Sequence, residues 1–229
     1  MMDSRRGART REAKTDRFDA IFFDNDGVLV DTEPLFLEAT QQVLATVGVE
    51  VSPQIYHDLT MRSGRTVFEL ATAQGISEAA IIELRAIRDQ RYSELIRGGI
   101  QVLDGVPEAL ERLRGVWPTA IVTSSGRDHF EEIHAQTNLL RFFEFVLADG
   151  DYAQHKPHPA PYRAAAERMG VDPARCLAVE DTERGLVSAT EAGMECLVIP
   201  HALTVEGDFS RAIARLDSMR SLPGWLGLD

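Results

Sequence analysis

Short apolar runs that end in polar or glycine residues alternate along the chain with longer segments whose apolar residues have helical spacing. A short run of this kind is typical of a buried strand in a parallel sheet. The predicted strands are residues 18–23, 119–122, 145–147, 176–179 and 196–199. The predicted helices between them are residues 106–114, 128–137, 160–169 and 183–192. Strands that alternate with helices predict an α/β core built on a doubly wound parallel sheet.

One long segment breaks this alternation. Residues 35–98 contain no strand pattern, and their helical patterns lie at 36–47, 66–73 and 77–96. We therefore predict a core domain of residues 18–33 and 100–229, with an inserted all-helical cap domain of residues 34–99. Because the insertion follows the first strand, it can cover that strand's carboxyl end as a movable lid. Open α/β sheets bind their ligands at that end.

Composition narrows the classes of function. The 229 residues are 44% hydrophobic, which is enough for a full core plus an insertion, and their formal net charge is -12. This acidic balance disfavours nucleic acid and anionic membranes as partners, because proteins that bind phosphate backbones present a basic surface. No stretch approaches the roughly 20 apolar residues of a membrane span. We expect a monomer.

The amino-terminal segment and the cysteines indicate the cellular compartment in which the protein works. Residues 1–17 are rich in arginine and lack the apolar region of a secretion signal, so we predict a disordered extension there. Cys176 and Cys196 form no CxxC pair, and each lies in an apolar run. This pattern is typical of reduced core thiols and predicts a cytoplasmic protein.

Polar side chains stand at or after the ends of four predicted strands, and these ends meet at one edge of a parallel sheet. They are Asp24 and Asp26, then Thr123-Ser124-Ser125, then Lys156, and finally Glu180-Asp181. Four carboxylates this close repel one another unless a hard cation is bound. Since the set has no His or Cys, its oxygen ligands predict Mg²⁺. With that charge offset, a carboxylate can attack a phosphoryl group.

Four segments in order resemble the motifs of a known family. They are residues 23–34 (FDNDGVLVDTEP), 122–127 (VTSSGR), 156–159 (KPHP) and 179–185 (VEDTERG). These segments resemble the four motifs of the haloacid dehalogenase (HAD) superfamily, and most of all its phosphoglycolate phosphatase and β-phosphoglucomutase-like branch. The resemblance spans about residues 18–200.

The resemblance implies a role for each charged residue. Asp24 would be the nucleophile and a Mg²⁺ ligand. Asp26 would protonate the leaving alcohol and then activate water, while its backbone carbonyl meets the metal. Asp181, with Glu180 directly or through water, would complete the Mg²⁺ site. Lys156 would bridge Asp24 and the transferring phosphoryl group.

The hydroxyl motif leaves one choice open. The resemblance assigns the hydroxyl that holds the phosphoryl oxygen to either Thr123 or Ser124, because the register is ambiguous by one position. Aligning Arg127 with the basic residue common downstream favours Ser124 as the catalytic hydroxyl. Thr123 and Ser125 are then expected to contribute to substrate binding.

Other positions bear on the reaction and the substrate. Asp26 favours phosphate ester chemistry, since relatives that release no alkoxide lack this acid. Phe36 stands where the mutase branch typically has a His, which counts against mutase activity. In the insertion, Arg62 and Arg65 belong to a segment that resembles the loop with which caps of this branch reach the substrate. Two guanidinium groups there would suit an anionic or polyhydroxyl group.

The resemblance therefore predicts a Mg²⁺-dependent phosphatase that hydrolyses a small phosphorylated metabolite through an aspartyl-phosphate. The metabolite would be a sugar phosphate or a phosphoglycolate-like acid, because the core motifs recognise only the phosphoryl group. One alternative is a β-phosphoglucomutase-like phosphotransferase. The other is a non-catalytic binding protein with the same fold.

Overall fold

The computed structural model describes residues 16–228. The strands are β1 (Ala20–Phe23), β2 (Thr119–Gly126), β3 (Phe145–Asp149), β4 (Cys176–Glu180), β5 (Glu195–Val198) and β6 (Ala214–Arg215). The α-helices are α1 (Glu33–Ala45), α2 (Pro53–Tyr56), α3 (Phe68–Ala73), α4 (Glu78–Arg97), α5 (Val106–Leu113), α6 (Arg127–His134), α7 (Ala160–Met169), α8 (Glu183–Glu191) and α9 (Leu222–Leu226). A π-helical turn, His57–Arg62, continues α2 directly.

All six strands form one parallel sheet in the order β3-β2-β1-β4-β5-β6. The first strand is central: Ile21 pairs with Thr119 of β2 on one side and with Leu177 of β4 on the other. The carboxyl ends of β2, β1 and β4 therefore lie side by side. Strand β6 has only two residues, too few for an apolar run, and the sequence pattern did not predict it.

Alternating side chains of the sheet feed two cores. Ile21 and Phe23 pack on the face covered by α5, α6 and α9. Ala20 and Phe22 pack on the opposite face, under α7 and α8. Helices thus cover both faces of a parallel sheet, which confirms the predicted doubly wound α/β core.

The helices α1 to α4 form the predicted all-helical insertion, which has a hydrophobic core of its own. Leu44, Met61 and Phe68 are among the buried residues that pack together there. The insertion leaves the sheet after β1 and returns before α5, where the backbone N–H of Asp31 donates to the carbonyl of Gln101 at 2.9 Å. The cap therefore stands over the carboxyl end of the sheet.

Local chemistry explains a helix that the apolar pattern did not predict. The hydroxyl of Ser52 accepts a hydrogen bond from the backbone N–H of Ile55, and Pro53 occupies the first turn of α2. A capping serine followed by proline is a common helix start, but α2 is too short to show a periodic stripe.

The predicted disordered extension lies mostly in residues 1–15, outside the described residues. Arg17 is described, and its Nε donates to Glu195 at 3.0 Å. Cys176 and Cys196 are free and buried. Among residues 16–228, no helix has the length and apolar character needed to cross a membrane.

Candidate active site

The sheet brings the predicted site residues together at one edge. The backbone N–H of Asp24 donates to the carbonyl of Val179 at 2.9 Å, which continues the pairing of β1 with β4 past the last strand residue. This bond places Asp24 beside Glu180 and Asp181, the residues that follow Val179. All three carboxyl groups are buried.

A buried lysine joins two of these carboxylates. The Nζ of Lys156 lies 3.0 Å from Asp24 Oδ1 and 2.6 Å from Glu180 Oε1, and it also donates to the carbonyl of Val122 at 2.8 Å. Glu180 Oε1 accepts a further hydrogen bond from the hydroxyl of Tyr162 at 2.6 Å. Burial lowers the pKa of Lys156, but the two carboxylates raise it by more, so it lies above its ordinary value and the side chain is a cation.

Three acidic side chains fit a metal ion. One carboxylate oxygen from each of Asp24, Glu180 and Asp181 lies within 4.8 Å of the other two. Asp181 Oδ1 is buried and has no hydrogen-bond partner among residues 16–228, while its other oxygen lies 3.0 Å from Nε2 of His201. A buried carboxylate oxygen without a donor fits a cation, and oxygen-only ligands favour Mg²⁺. The residues present therefore fit the predicted metal.

Burial also changes the acidity of the cluster. It raises the pKa of Asp24 to about 7, with a further upward effect from Glu180 and an opposing effect from Lys156. Burial raises the pKa of Asp181 as well, and the hydrogen bond with His201 partly offsets this rise. Both groups resist ionisation in the absence of a cation, as expected for carboxyls removed from water.

Asp26 is held by hydroxyl groups instead of by Lys156. Its Oδ1 accepts from Thr32 Oγ1 at 2.5 Å, and its Oδ2 accepts from Thr123 Oγ1 at 3.0 Å and Ser125 Oγ at 2.7 Å. Asp26 is not part of the three-carboxylate cluster. Three donors fix its carboxylate at the cavity wall, next to Asp24.

The three hydroxyl residues of β2 have different surroundings. Thr123 is fully buried and donates to Asp26, and Ser125 also donates to Asp26. Ser124 lines the cavity, and its buried Oγ makes no hydrogen bond within residues 16–228. Strand β2 extends to Gly126, beyond the predicted end at 122, so the motif forms part of the strand itself.

Two glycines allow close contacts around the carboxylates. Gly27 has a positive φ of 80°, and a Cβ atom there would lie 2.3 Å from Asp181 Oδ2. A Cβ atom on Gly185 would lie 2.0 Å from Glu180 Oε2. Any larger residue at either position would have to displace a carboxylate of the site.

A cavity of about 730 Å³ lies between the core and the cap. On the core side it is lined by Asp24, Asp26 and Ser124. On the cap side it is lined by Phe36 and Arg88, whose guanidinium carbon lies 4.3 Å from the centre of the Phe36 ring. The cavity therefore gives a bound molecule access to the carboxylates from the cap side.

The cavity holds two further polar side chains, Glu33 and Arg184, which are not among the predicted site residues. Glu33 is buried, its Oε2 accepts from the hydroxyl of Tyr56 at 3.0 Å, and burial raises its pKa to about 8. Arg184, on the first turn of α8, lines the same cavity. Glu33 and Arg184 belong to the segments 23–34 and 179–185 that resemble family motifs. The sequence does not show that their side chains line the same cavity.

Arg62 and Arg65 are not among the residues that line the cavity. The Nε of Arg62 lies 3.3 Å from Glu183 Oε2, and Arg65 is paired with Glu69 one helical turn away. More than half of each arginine side chain is exposed. The structure therefore does not bring these two residues to the carboxylate cluster of Asp24, Glu180 and Asp181. Their role in substrate binding stays a prediction.

An α/β core with strand-end carboxylates, a buried lysine and a helical cap defines a hydrolase of the HAD type. A family model described as haloacid dehalogenase-like hydrolase matches residues 18–193. The chain belongs to this family.

Relatives and solved structures agree with this assignment. The chain is similar to Protein CbbY of Rhodobacter capsulatus, with 32% identity over 211 residues that cover 87% of this chain and 93% of the relative. It is also similar to Fructose-1-phosphate phosphatase YqaB of Escherichia coli (strain K12), with 29% identity over 186 residues that cover 80% of this chain and 96% of the relative. CbbY from Rhodobacter sphaeroides, solved in complex with phosphate, has a TM-score of 0.78 and 27% identity and covers 93% of this chain and 99% of that one.

These findings confirm the predicted family and fold class, and with them the prediction of an enzyme, a HAD-like phosphatase. β-Phosphoglucomutase from Clostridium difficile has a TM-score of 0.76 at 20% identity, so that likeness shows a shared fold.

Proposed function

We propose that this protein is a Mg²⁺-dependent phosphatase that hydrolyses a small phosphorylated metabolite through an aspartyl-phosphate on Asp24. One observation carries the proposal: the buried Asp24 lies 3.0 Å from the Nζ of Lys156. Beside Asp24 lie Asp26, which three hydroxyls hold, and Asp181, whose Oδ1 lacks a donor among the described residues. A nucleophile, a fixed cation, an acid and a metal ligand are the parts that phosphoryl transfer requires.

The first half of the reaction uses two carboxyl groups. An oxygen of Asp24 attacks phosphorus, and the bond between phosphorus and the ester oxygen breaks. Asp26 gives its proton to that oxygen, so the alcohol leaves neutral. Lys156 stays in contact with Asp24 and offsets the negative charge that accumulates as the phosphoryl group approaches.

The second half regenerates the enzyme. Asp26, now ionised, accepts a proton from a water molecule as the water oxygen attacks phosphorus. The bond between phosphorus and Asp24 breaks, inorganic phosphate leaves, and Asp26 is again the acid. The hydroxyls of Thr32, Thr123 and Ser125 hold the Asp26 carboxylate in reach of both the leaving oxygen and the water.

Asp24, Asp181 and Glu180 are the residues that would hold Mg²⁺. When bound, the ion would neutralise charge between the nucleophile and the phosphoryl oxygens and favour the ionised form of Asp24. The resemblance implies one further ligand for this ion, the backbone carbonyl of Asp26.

Ser124 is the better candidate for the hydroxyl that holds a phosphoryl oxygen. Its Oγ is the one hydroxyl of the motif that lines the cavity without a hydrogen bond among the described residues, whereas Thr123 is engaged with Asp26. A preformed donor without a partner supports a contact with substrate.

The substrate class draws support from relatives. CbbY from Rhodobacter sphaeroides was solved as a variant in complex with xylulose-(1,5)bisphosphate, and other relatives are named Fructose-1-phosphate phosphatase and Hexitol phosphatase B. These names favour a small sugar or polyol phosphate. Phe36 lines the cavity where a mutase would be expected to have His, which favours hydrolysis over phosphotransfer. The monomeric state and the cytoplasmic location remain predictions.

The test is phosphate release from a panel of small phosphate esters, measured with Mg²⁺ and with EDTA. Asp24→Asn is the variant that removes the nucleophile, and Asp19→Asn, on the exposed surface next to Arg175, is the matched control. We expect release that needs both Mg²⁺ and Asp24 and that is the same in Asp19→Asn as in the wild type. Release that persists in Asp24→Asn, or that EDTA does not affect, would contradict the mechanism.

A further inference from the structure

We infer that Arg184 and Glu33 together recognise a hydroxyl group of the substrate, and that they select sugar and polyol phosphates over phosphate esters that carry no hydroxyl. The inference rests on the proposed function and deepens it, because the reacting groups recognise only the phosphoryl group. Both residues line the cavity that holds Asp24.

Arg184, which lines that cavity, has a donor without a partner among residues 16–228. Its Nε is buried and has no hydrogen-bond partner within residues 16–228. Burial lowers the pKa of Arg184, but Glu33, followed by Asp24, raises it by more, so the guanidinium is a cation close to both carboxyls. A buried N–H without an acceptor is costly, so an oxygen atom of a ligand is the partner that it lacks.

The other arginines of the cavity are already paired. The Nε of Arg88 lies 2.7 Å from Asp89 Oδ1, and Arg127 forms an ion pair with Asp151. Arg184 forms no ion pair of this kind among the described residues, although Glu33 is close enough to affect its charge. Arg184 is therefore the arginine lining this cavity that has no ion pair among residues 16–228.

Glu33 supplies the matching acceptor. Its Oε2 accepts from Tyr56, which fixes the orientation of the carboxyl group and leaves the second oxygen for another partner. A hydroxyl between the two side chains would accept from Arg184 and donate to Glu33. A hydroxyl is both donor and acceptor, and thus satisfies both groups at once.

The same pair disfavours a substrate that carries no hydroxyl. An alkyl chain would leave both groups without partners, and sites built to bond a hydroxyl reject the analogue that lacks it. The apolar ring of Phe36 lines the cavity as well and can cover the carbon skeleton of a sugar.

The test compares sugar and polyol phosphates with propyl phosphate, which has no hydroxyl. We would measure kcat/KM for wild type, Arg184→Met, Arg184→Lys and Glu33→Met, which removes the acceptor. The matched control is Arg114→Met, at an exposed arginine paired with Glu111. We expect Arg184→Met and Glu33→Met to lose at least about tenfold more kcat/KM on the best hydroxylated substrate than on propyl phosphate. Arg184→Lys should recover part of that loss, and Arg114→Met should keep the wild-type ratio.

A binding measurement separates this inference from the proposed function. Calorimetry on Asp24→Asn, with and without Arg184→Met or Glu33→Met, compares the affinity for the same hydroxylated phosphates with that for propyl phosphate. If the wild type releases no phosphate from any ester, the proposed function fails, and this binding ratio alone decides the inference. Thermal melting identifies a variant that does not fold. If the variant of one residue, Arg184 or Glu33, does not fold, the variant of the other residue tests the inference.

Two results would overturn the inference. One is that Asp24→Asn binds no hydroxylated phosphate more tightly than propyl phosphate. The other is an equal loss on both kinds of ligand in the variants of Arg184 and Glu33, which would mean that these side chains serve the phosphoryl group or the fold.

Discussion

Replacing Asp24 with Asn is expected to stabilise the metal-free protein at neutral pH while it removes the proposed nucleophile. Asp24 is buried beside Glu180 and Asp181, and such a cluster is unfavourable when its members ionise without a bound cation. Asn has nearly the same shape and carries no charge. The variant therefore tests whether this site lowers the stability of the fold for the sake of its chemistry.

The magnitude follows from the acidity of Asp24. Its pKa is raised from the ordinary 3.8 to about 7, with burial as the largest cause. Each tenfold change in proton affinity is worth about 1.4 kcal/mol, so the ionised group costs the folded state about 4 kcal/mol above pH 7. This cost already includes the favourable contact with Lys156, which acts in the opposite direction.

The sign determines the pH dependence. Because the folded state binds the proton of Asp24 more tightly than the unfolded chain does, ionisation of this group opposes folding. The cost is absent below the ordinary pKa of 3.8, grows as the pH rises towards about 7, and is complete above that. Asn does not titrate in this range. The stability difference between variant and wild type should therefore be small in acid and largest above neutrality.

The assay is equilibrium urea unfolding in EDTA at about pH 5 and about pH 8, with the free energy of unfolding extrapolated to water. Asp19→Asn is the matched control, because Asp19 is exposed and its hydrogen bond from Arg175 lowers its pKa. Because the pKa of Asp19 lies at or below 3.8 in both the folded and the unfolded chain, that variant should differ from the wild type by the same free energy at both pH values. If Asp24→Asn is no more stable than the wild type at the higher pH, or if its advantage does not shrink in acid, the reasoning about the cluster is wrong.

Three further outcomes are expected. Asp26→Asn should lower kcat/KM, which reports the first step, by about 10²- to 10⁴-fold on alkyl phosphates and much less on 4-nitrophenyl phosphate, whose leaving group needs no proton; an equal loss on both would contradict its role as the acid. Gly185→Ala should destabilise the protein by about 1–3 kcal/mol in urea unfolding, because the added Cβ would lie 2.0 Å from Glu180 Oε2. Gly224→Ala, which meets no atom within 4 Å, should not destabilise it. Tyr162→Phe should cost about 1–3 kcal/mol, since it removes a donor from a buried carboxylate; a loss within error would mean that another donor replaces it.

The parts of the fold that repeat a local pattern were predictable from sequence. Strands β1, β2, β4 and β5 are short, apolar and buried, and the helices that cover them have clear spacing. Their order along the chain and the parallel sheet then bring the strand-end carboxylates together, because the carboxyl ends of parallel strands share one edge. The gathering of Asp24, Glu180 and Asp181 follows from this rule.

Contacts between distant segments were not predictable in the same way. Glu33 and Arg184 both line the cavity from the first turns of α1 and α8, and no local pattern shows that the two side chains share it. Arg62 and Arg65 show the reverse case: their segment resembles a substrate loop, yet nearby carboxylates bind both guanidiniums. The hydroxyl motif was ambiguous by one position because the pattern does not show which side chains of an extended strand face Asp26.

The measurement that tests the central claim most directly is mass spectrometry of acid-quenched enzyme after brief incubation with 4-nitrophenyl phosphate and Mg²⁺. The Asp26→Asn variant is the best material, because this ester needs no acid in the first step and slow hydrolysis lets a phosphorylated enzyme accumulate. We expect the peptide that contains Asp24 to gain the mass of one phosphoryl group, and we expect no gain in EDTA or in Asp24→Asn. Phosphate release by the wild type without any label on that peptide would contradict the aspartyl-phosphate mechanism.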